Sequence, residues 1–235
     1  MVDVNQQNSE NLISSYPLTI GLLGVLSVLY VLEASYGGFN FANIGNGASI
    51  DALVAYGGNA HDLAITQSEW WRLLTATLLH GSLAHIIMNS FSLWNLARPL
   101  EKYFGRETLL TVFVVTGLIS SLTFAVFGSR TTISIGASGA ICGMLGFLIS
   151  HGARNFEELT KQIRNNWINF AMLLVIGFAI PNVDNWAHGG GVLAGILLGL
   201  IYPKFPQAFK INLGRLSGML LLSSAVWIFK LAAIG

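Results

Sequence analysis

The sequence predicts an all-α membrane protein of about seven spanning helices, and three observations carry that prediction. Of the 235 residues, 53% are hydrophobic and only 10% are charged. The mean hydropathy of +0.63 lies far from the balance of a soluble globular domain. The charges are clustered and leave charge-free intervals at 11–32, 73–97, 108–129, 131–153, 165–183, 185–203 and 216–229. A helix of about 20 apolar residues crosses a bilayer core, so most of these intervals are long enough as they stand.

The first interval contains PLTIGLLGVLSVLYVL, which no basic stretch precedes, so it is read as a retained helix and not as a cleaved leader. The uncharged interval 34–50 is set aside as loop, because YGGFNFANIGNGAS is rich in Gly and Asn. It belongs to a long first loop, about 36–70. The second, fourth and sixth intervals carry HGSLAHIIMNS, GASGAICG and NWAHGGGVLAGILLG, each mixing polar or small residues into an apolar run. The last interval is short, but Lys230 can carry its ammonium to the interface and let the helix continue toward Gly235.

Seven spans distribute the twelve Lys and Arg unevenly. Nine (Arg98, Lys102, Arg106, Arg154, Lys161, Arg164, Lys204, Lys210, Arg215) fall on the side of the N-terminal tail, and three (Arg72, Arg130, Lys230) on the other. By the positive-inside rule the N-terminus is cytoplasmic and the first loop faces outside. The net charge of +1 offers no basic surface for nucleic acid, and the single Cys142 excludes an internal disulfide framework.

Ionisable groups inside spans are expensive and read first as functional. Of the five histidines, His61 lies in the first loop and His151 at the inner end of the fourth span, both at solvated or interfacial places. His80, His85 and His188 each lie near the outer end of a span. His85 and Asn89, four residues apart, share one helix face. Left unpaired they would cost several kcal/mol each in hydrocarbon; an interhelical hydrogen-bonded pair is the structural alternative to a reactive site. Ser138 has the same two readings, a hydroxyl back-bonded to its own helix or a nucleophile near a helix start, where free N–H groups favour an oxyanion.

Small residues recur every three or four positions at Gly139, Gly143, Gly146 and Ser150 and again at Gly191, Gly195 and Gly199, which share a helix face with His188. Such strips let two backbones approach closely, so the fourth and sixth helices are expected in contact. The second, fourth and sixth spans all run inward from outside, which puts Ser138, His85 and His188 in one leaflet at matching depth. A hydroxyl and an imidazole within reach of each other form the nucleophile and base of acyl-transfer catalysis.

These residues, taken together, carry a resemblance. Trp71 and Arg72 in the first loop, HxxxxHxxxN at His80, His85 and Asn89, and ExxxG at Glu101 and Gly105 are followed by GxSG at Gly136, Ser138 and Gly139 and AHxxGxxxG at Ala187, His188, Gly191 and Gly195. In this order the set resembles the rhomboid family of intramembrane serine proteases, over about residues 16–203.

The resemblance implies a bundle of six core transmembrane helices plus one C-terminal helix, with a short tail at 1–15, the core at 16–203 and a linker with the additional helix at 204–235. It implies Ser138 as nucleophile and His188 as general base in a dyad, with Asp184 outside it as a loop residue. His85, Asn89 and the Ser138 N–H are implied as oxyanion donors. His80, Gly136, Cys142, Trp71 and Arg72 have supporting places, and Glu101 anchors the inner end of the second helix. Neither metal nor cofactor is called for. Many rhomboids carry an aromatic residue four positions after the serine, to stack on the histidine; here it is Cys142, which leaves the imidazole's orientation to other groups.

HGGG at 188–191 is similar to the lipase oxyanion loop, but the nucleophile elbow of that fold needs G-x-S-x-G and residue 140 is alanine. The resemblance implies single-span membrane proteins in the lipid bilayer as substrates, and their helices are expected to unwind readily near the outer face, because a helix hides its carbonyls in internal hydrogen bonds. Thr131, Thr132, Ser134, His80 and Asn89 are expected to line a small wet cavity. A neutral histidine base implies activity that falls in acid.

Two rivals remain. A catalytically inactive rhomboid-like protein would bind clients without cutting them, with loss of the serine or histidine as its signature. A proton channel or transporter would spread its polar groups through the membrane depth. The setting implied is a multi-pass protein of a prokaryotic plasma membrane, with its site opening to the outer face.

Overall fold

Glycine spacing sets the centre of the bundle. The computed structural model describes residues 12–36, 38, 41–152, 157, 161 and 184–234. Its long helices are α1 (Pro17–Ala34), α2 (Leu83–Phe104), α3 (Arg106–Phe127), α4 (Ser138–Phe147), α5 (Asn185–Ile201) and α6 (Gly214–Ile234). A methyl group added to Gly191 would meet the carbonyl oxygen of Gly139, and one on Gly195 that of Gly143; on Gly146 it would meet the carbonyl of Val192. The two small-residue strips therefore interlock backbone against backbone, as the sequence predicts.

Helix α3 closes the opposite side of α4. Gly143 faces the Thr116 side chain, and Gly139 faces Ser120. Thr116 turns its hydroxyl back to the Val112 carbonyl at 2.6 Å, so it presents its remaining surface without an unpaired donor. Residues Gly139 to Phe147 are all buried, which is what a helix apolar on every side requires.

The outer surface is apolar instead. Leu222 is 67% exposed, Leu193 60% and Ile87 57%, whereas Glu33, Asn59 and His80 are at most 1% exposed. This inversion fits lipid as the surrounding solvent. Three described helices, Pro17–Ala34, Arg106–Phe127 and Asn185–Lys204, are long and apolar enough to cross a membrane. The chain is an all-α membrane bundle; its fifth expected span, 165–183, lies outside the described residues.

Two expectations need correction. The interval 73–97 is not one helix: a short helix at Arg72–Thr75 and a tight turn at Ala76–Leu78 precede α2, which starts at Leu83. The break is set by Ser82, whose hydroxyl caps α2 by accepting the His85 N–H at 3.2 Å. Leu74, Ala76, Leu78 and Leu79 before it are buried in the protein, and α2 then runs past the charge-free interval to Phe104. The interval 34–50, read as loop, contains a helix at Phe41–Asn46, and another starts at Ile50. Its glycines and asparagines include a stop signal: Gly47 takes φ +97 directly after the first helix, and Ser49 caps the second through the Ala52 N–H at 3.1 Å.

At the opposite end Glu101 joins α2 to α1. Its carboxylate accepts the Leu18 N–H at 3.0 Å, the Thr19 N–H at 2.9 Å and the Thr19 hydroxyl at 2.7 Å. A carboxylate on the free N–H groups of a helix start is doubly favourable, for hydrogen bonding and for the helix dipole. Gly105, at φ +88, then turns the chain directly into α3.

Candidate active site

Ser138 is the first residue of α4, and the segment that delivers it is tied down twice. The strands β1 (Asn59–Ala60) and β2 (Ile133–Ser134) pair antiparallel, Asn59 opposite Ser134 and Ala60 opposite Ile133. The Gly136 N–H then donates to the Ala76 carbonyl at 2.8 Å. His188 lies in the first turn of α5, whose start is capped by Asp184: Oδ1 accepts the Ala187 N–H at 2.9 Å. Asp184 is thus a helix cap.

With both starts fixed and the glycine strips in contact, the His188 Nε2 lies 2.8 Å from the Ser138 Oγ. An imidazole nitrogen that accepts the serine proton carries a lone pair, so the ring's hydrogen is on Nδ1. The two helices contribute one group each, from positions 50 residues apart in the chain.

A second group of polar side chains comes from α2 and the turn before it. His80 is fully buried; its Nδ1 lies 3.2 Å from the Leu78 carbonyl and its Nε2 2.9 Å from the Asn89 Nδ2. A carbonyl only accepts, so Nδ1 bears the hydrogen and the neutral ring receives one Asn89 amide N–H at Nε2. The His80 and His85 rings meet edge to face, centroids 4.9 Å apart.

Gly136 explains the space between this group and Ser138. A methyl group built there would come within 2.6 Å of the His85 Nε2 and 3.3 Å of the Asn89 Nδ2. Its φ of +112 is also a conformation side chains rarely adopt. The missing side chain leaves room beside the serine bordered by the two nitrogens.

Trp71 and Arg72 hold the first loop. The Arg72 guanidinium stacks over the Trp71 ring at 4.5 Å, pairs with Glu69, and donates through Nη1 to the carbonyls of Val54 at 2.7 Å and Gly58 at 3.2 Å. Trp71 also meets Trp227 of α6, ring centroids 5.8 Å apart. Cys142 is fully buried within α4. The expected wet-cavity set divides. Thr131 and Thr132 are exposed on a turn where their hydroxyls bond Ser129, Ser134 pairs with Asn59, and His80 and Asn89 are buried against each other. Among the described residues no three His, Cys, Asp or Glu side chains are grouped to hold a metal ion.

Sequence reasoning passed over Glu69, the ion partner of Arg72, and Glu33, which is 1% exposed and accepts the His80 N–H at 2.8 Å. Glu33 ends the first charge-free interval, so it reads as a boundary rather than as a buried group.

The family model for the Rhomboid domain matches residues 67–205. The chain belongs to the rhomboid family. Similar relatives include Rhomboid protease GluP of Bacillus subtilis, 35% identical over 187 residues, which cover 77% of this rhomboid and 35% of GluP. RHOMBOID-like protein 5 of Arabidopsis thaliana is 34% identical over 170 residues, covering 71% of this chain and 54% of that protein. The Bacillus subtilis protein YdcA is 28% identical over 201 residues, covering 84% and 94%. This rhomboid thus spans about a third of GluP and about half of the plant relative. The matched region includes every residue of the two polar groups described above from Trp71 to His188.

Proposed function

We propose that this rhomboid is an intramembrane serine endopeptidase that cleaves transmembrane segments of membrane proteins through a Ser138–His188 dyad. One observation carries the reading: a serine hydroxyl and an imidazole on two different helices of an apolar bundle, 2.8 Å apart. The Ser138 Oγ attacks the scissile carbonyl carbon while the His188 Nε2 takes its proton. The carbonyl oxygen becomes an oxyanion in the space at Gly136, facing His85 and Asn89 with the Ser138 N–H. As the C–N bond breaks, His188 returns the proton to the leaving amine and an ester to Ser138 remains. Water, deprotonated by the same imidazole, hydrolyses that ester and restores the hydroxyl.

In this reading Asp184 takes no part in these transfers; its Oδ1 caps α5. The name of GluP, a protease, supports the activity class. Nine of twelve basic residues on one side support a cytoplasmic N-terminus and a site opening to the outer face, in what we read as a prokaryotic plasma membrane. The substrates are single-span proteins with weak helix formers near that face.

The test presents the purified protein and a Ser138→Ala variant with a tagged single-span substrate in liposomes. Cleavage by the first and none by the second is expected. Equal cleavage by both removes Ser138 from the mechanism, and binding without cleavage by the unaltered protein makes it a client-binding relative.

A further inference from the structure

Glu33 stands at the last turn of α1, an element that supplies no group to the proposed chemistry. Its carboxyl is 1% exposed. Oε2 accepts the backbone N–H of His80 at 2.8 Å, and Oε1 is buried and has no hydrogen-bond partner among the described residues. Burying a carboxyl with one oxygen unshared opposes folding, and a half-satisfied polar group of this kind calls for a reason beyond stability.

The reason lies in what Glu33 holds. His80 belongs to the stretch between the turn that ends at Leu78 and the Ser82 cap of α2, outside any helix, and Leu79 there is extended at φ −87, ψ 151. No helical ladder fixes the His80 backbone, so the Glu33 carboxyl group does. The ring is then oriented by the Nδ1 bond to the Leu78 carbonyl, and Nε2 meets the Asn89 amide at 2.9 Å. That bond uses one N–H of the Asn89 amide and leaves the other, on the same planar group, to donate elsewhere. The Asn89 Nδ2 is the nitrogen that borders the space at Gly136.

We propose that Glu33 is a positioning residue for Asn89, acting through the backbone and ring of His80 to aim the amide that receives the oxyanion. The proposal rests on the reading of Asn89 as an oxyanion donor. It makes the first helix part of the site: a shift of α1 against α2 is transmitted to the donor through a carboxyl group, a peptide N–H and an imidazole in series.

The experiment combines turnover with a signal that needs no turnover. Glu33→Leu removes the acceptor, and Glu33→Gln keeps an oxygen for the His80 N–H. In protein labelled with 15N-asparagine, the Asn89 side-chain amide resonance is assigned by its loss in Asn89→Ala. It is expected to move in Glu33→Leu and to return close to its place in Glu33→Gln. On a single-span substrate Glu33→Leu is expected to lower kcat by about tenfold, less than the ~10²-fold of losing a donor outright, with KM within about twofold. Glu33→Gln restores most of that rate, and in the Asn89→Ala background Glu33→Leu lowers the rate no further.

Should Glu33→Leu not fold, Glu33→Asp, one methylene too short for the His80 bond, is read by the same resonance. An unmoved Asn89 resonance overturns the proposal, as does a loss of rate that adds in full to Asn89→Ala. An Asn89 resonance that follows Glu33 in a protein that cleaves nothing upholds the positioning and overturns the protease reading instead.

Discussion

Lipid makes a polar side chain conspicuous, because leaving it unpaired in hydrocarbon is expensive. A histidine, an asparagine or a serine in a charge-free run has to be explained, and His80, His85, Asn89, Ser138 and His188 were each reached that way. Gly136 was reached only as part of GxSG, since nothing in the sequence gives its φ of +112 or the two nitrogens around its missing side chain. That geometry yields a test. Gly136→Ala strains the backbone by about 1–3 kcal/mol and places a methyl group against His85 and Asn89. The rate at which a fluorophosphonate labels Ser138 is expected to fall about 10²-fold, the scale of one lost oxyanion donor, in protein that keeps its helical circular dichroism. Labelling at the unaltered rate would show that the space at Gly136 takes no oxyanion.

At the scale of elements, the pairing of α4 with α5 was readable because a strip of glycines has one good use between helices, and the interlocked backbones at Gly139, Gly143, Gly191 and Gly195 are that use. The break at Ser82 was not readable from hydropathy. Residues 73–79 are as apolar as a span, and hydropathy cannot separate lipid from protein interior as the place where an apolar side chain ends up. A serine cap and a glycine stop are the signals that do separate them, and in residues 34–50 the same signals were hidden by a composition typical of loops. The helix contact predicts a contrast between glycines. Gly195→Ala presses a methyl group into the Gly143 carbonyl, where backbone faces backbone and neither can yield. A loss of about 1–3 kcal/mol follows, seen as a lower Tm, with labelling of Ser138 reduced because its helix is pushed away from His188. Gly24→Ala on α1, where an added methyl group meets nothing within 4 Å among the described residues, gains helix propensity of up to about 1 kcal/mol and leaves labelling unchanged. Equal effects at the two positions would mean that close approach of α4 and α5 does not set the dyad.

For the molecule as a whole, the distribution of polarity decides the solvent, and the proposed direction rests on the distribution of charge. Buried Glu33, Asn59 and His80 inside a surface of exposed Leu and Ile leave hydrocarbon as the environment. The proposed orientation of the spans rests on the bias of nine basic residues against three, because Lys and Arg near span ends are retained on the cytoplasmic side. The natural Cys142 is fully buried, so an intact cell should show little background when an introduced cysteine is labelled. Ser129→Cys, on the exposed turn before β2, is expected to react with a membrane-impermeant maleimide added outside. Lys204→Cys, exposed just beyond α5, is expected to react only after the membrane is opened. Both residues belong to the stretch matched by the Rhomboid domain, so the pair reports on the core that carries Ser138 and His188. Ser129 lies at the end of the bundle from which α4 starts, so its labelling from outside also places the serine in the outer leaflet. The reverse pattern would put the site at the inner leaflet, and the outer-face substrates proposed above would then have to be replaced by segments that unwind near the cytoplasm.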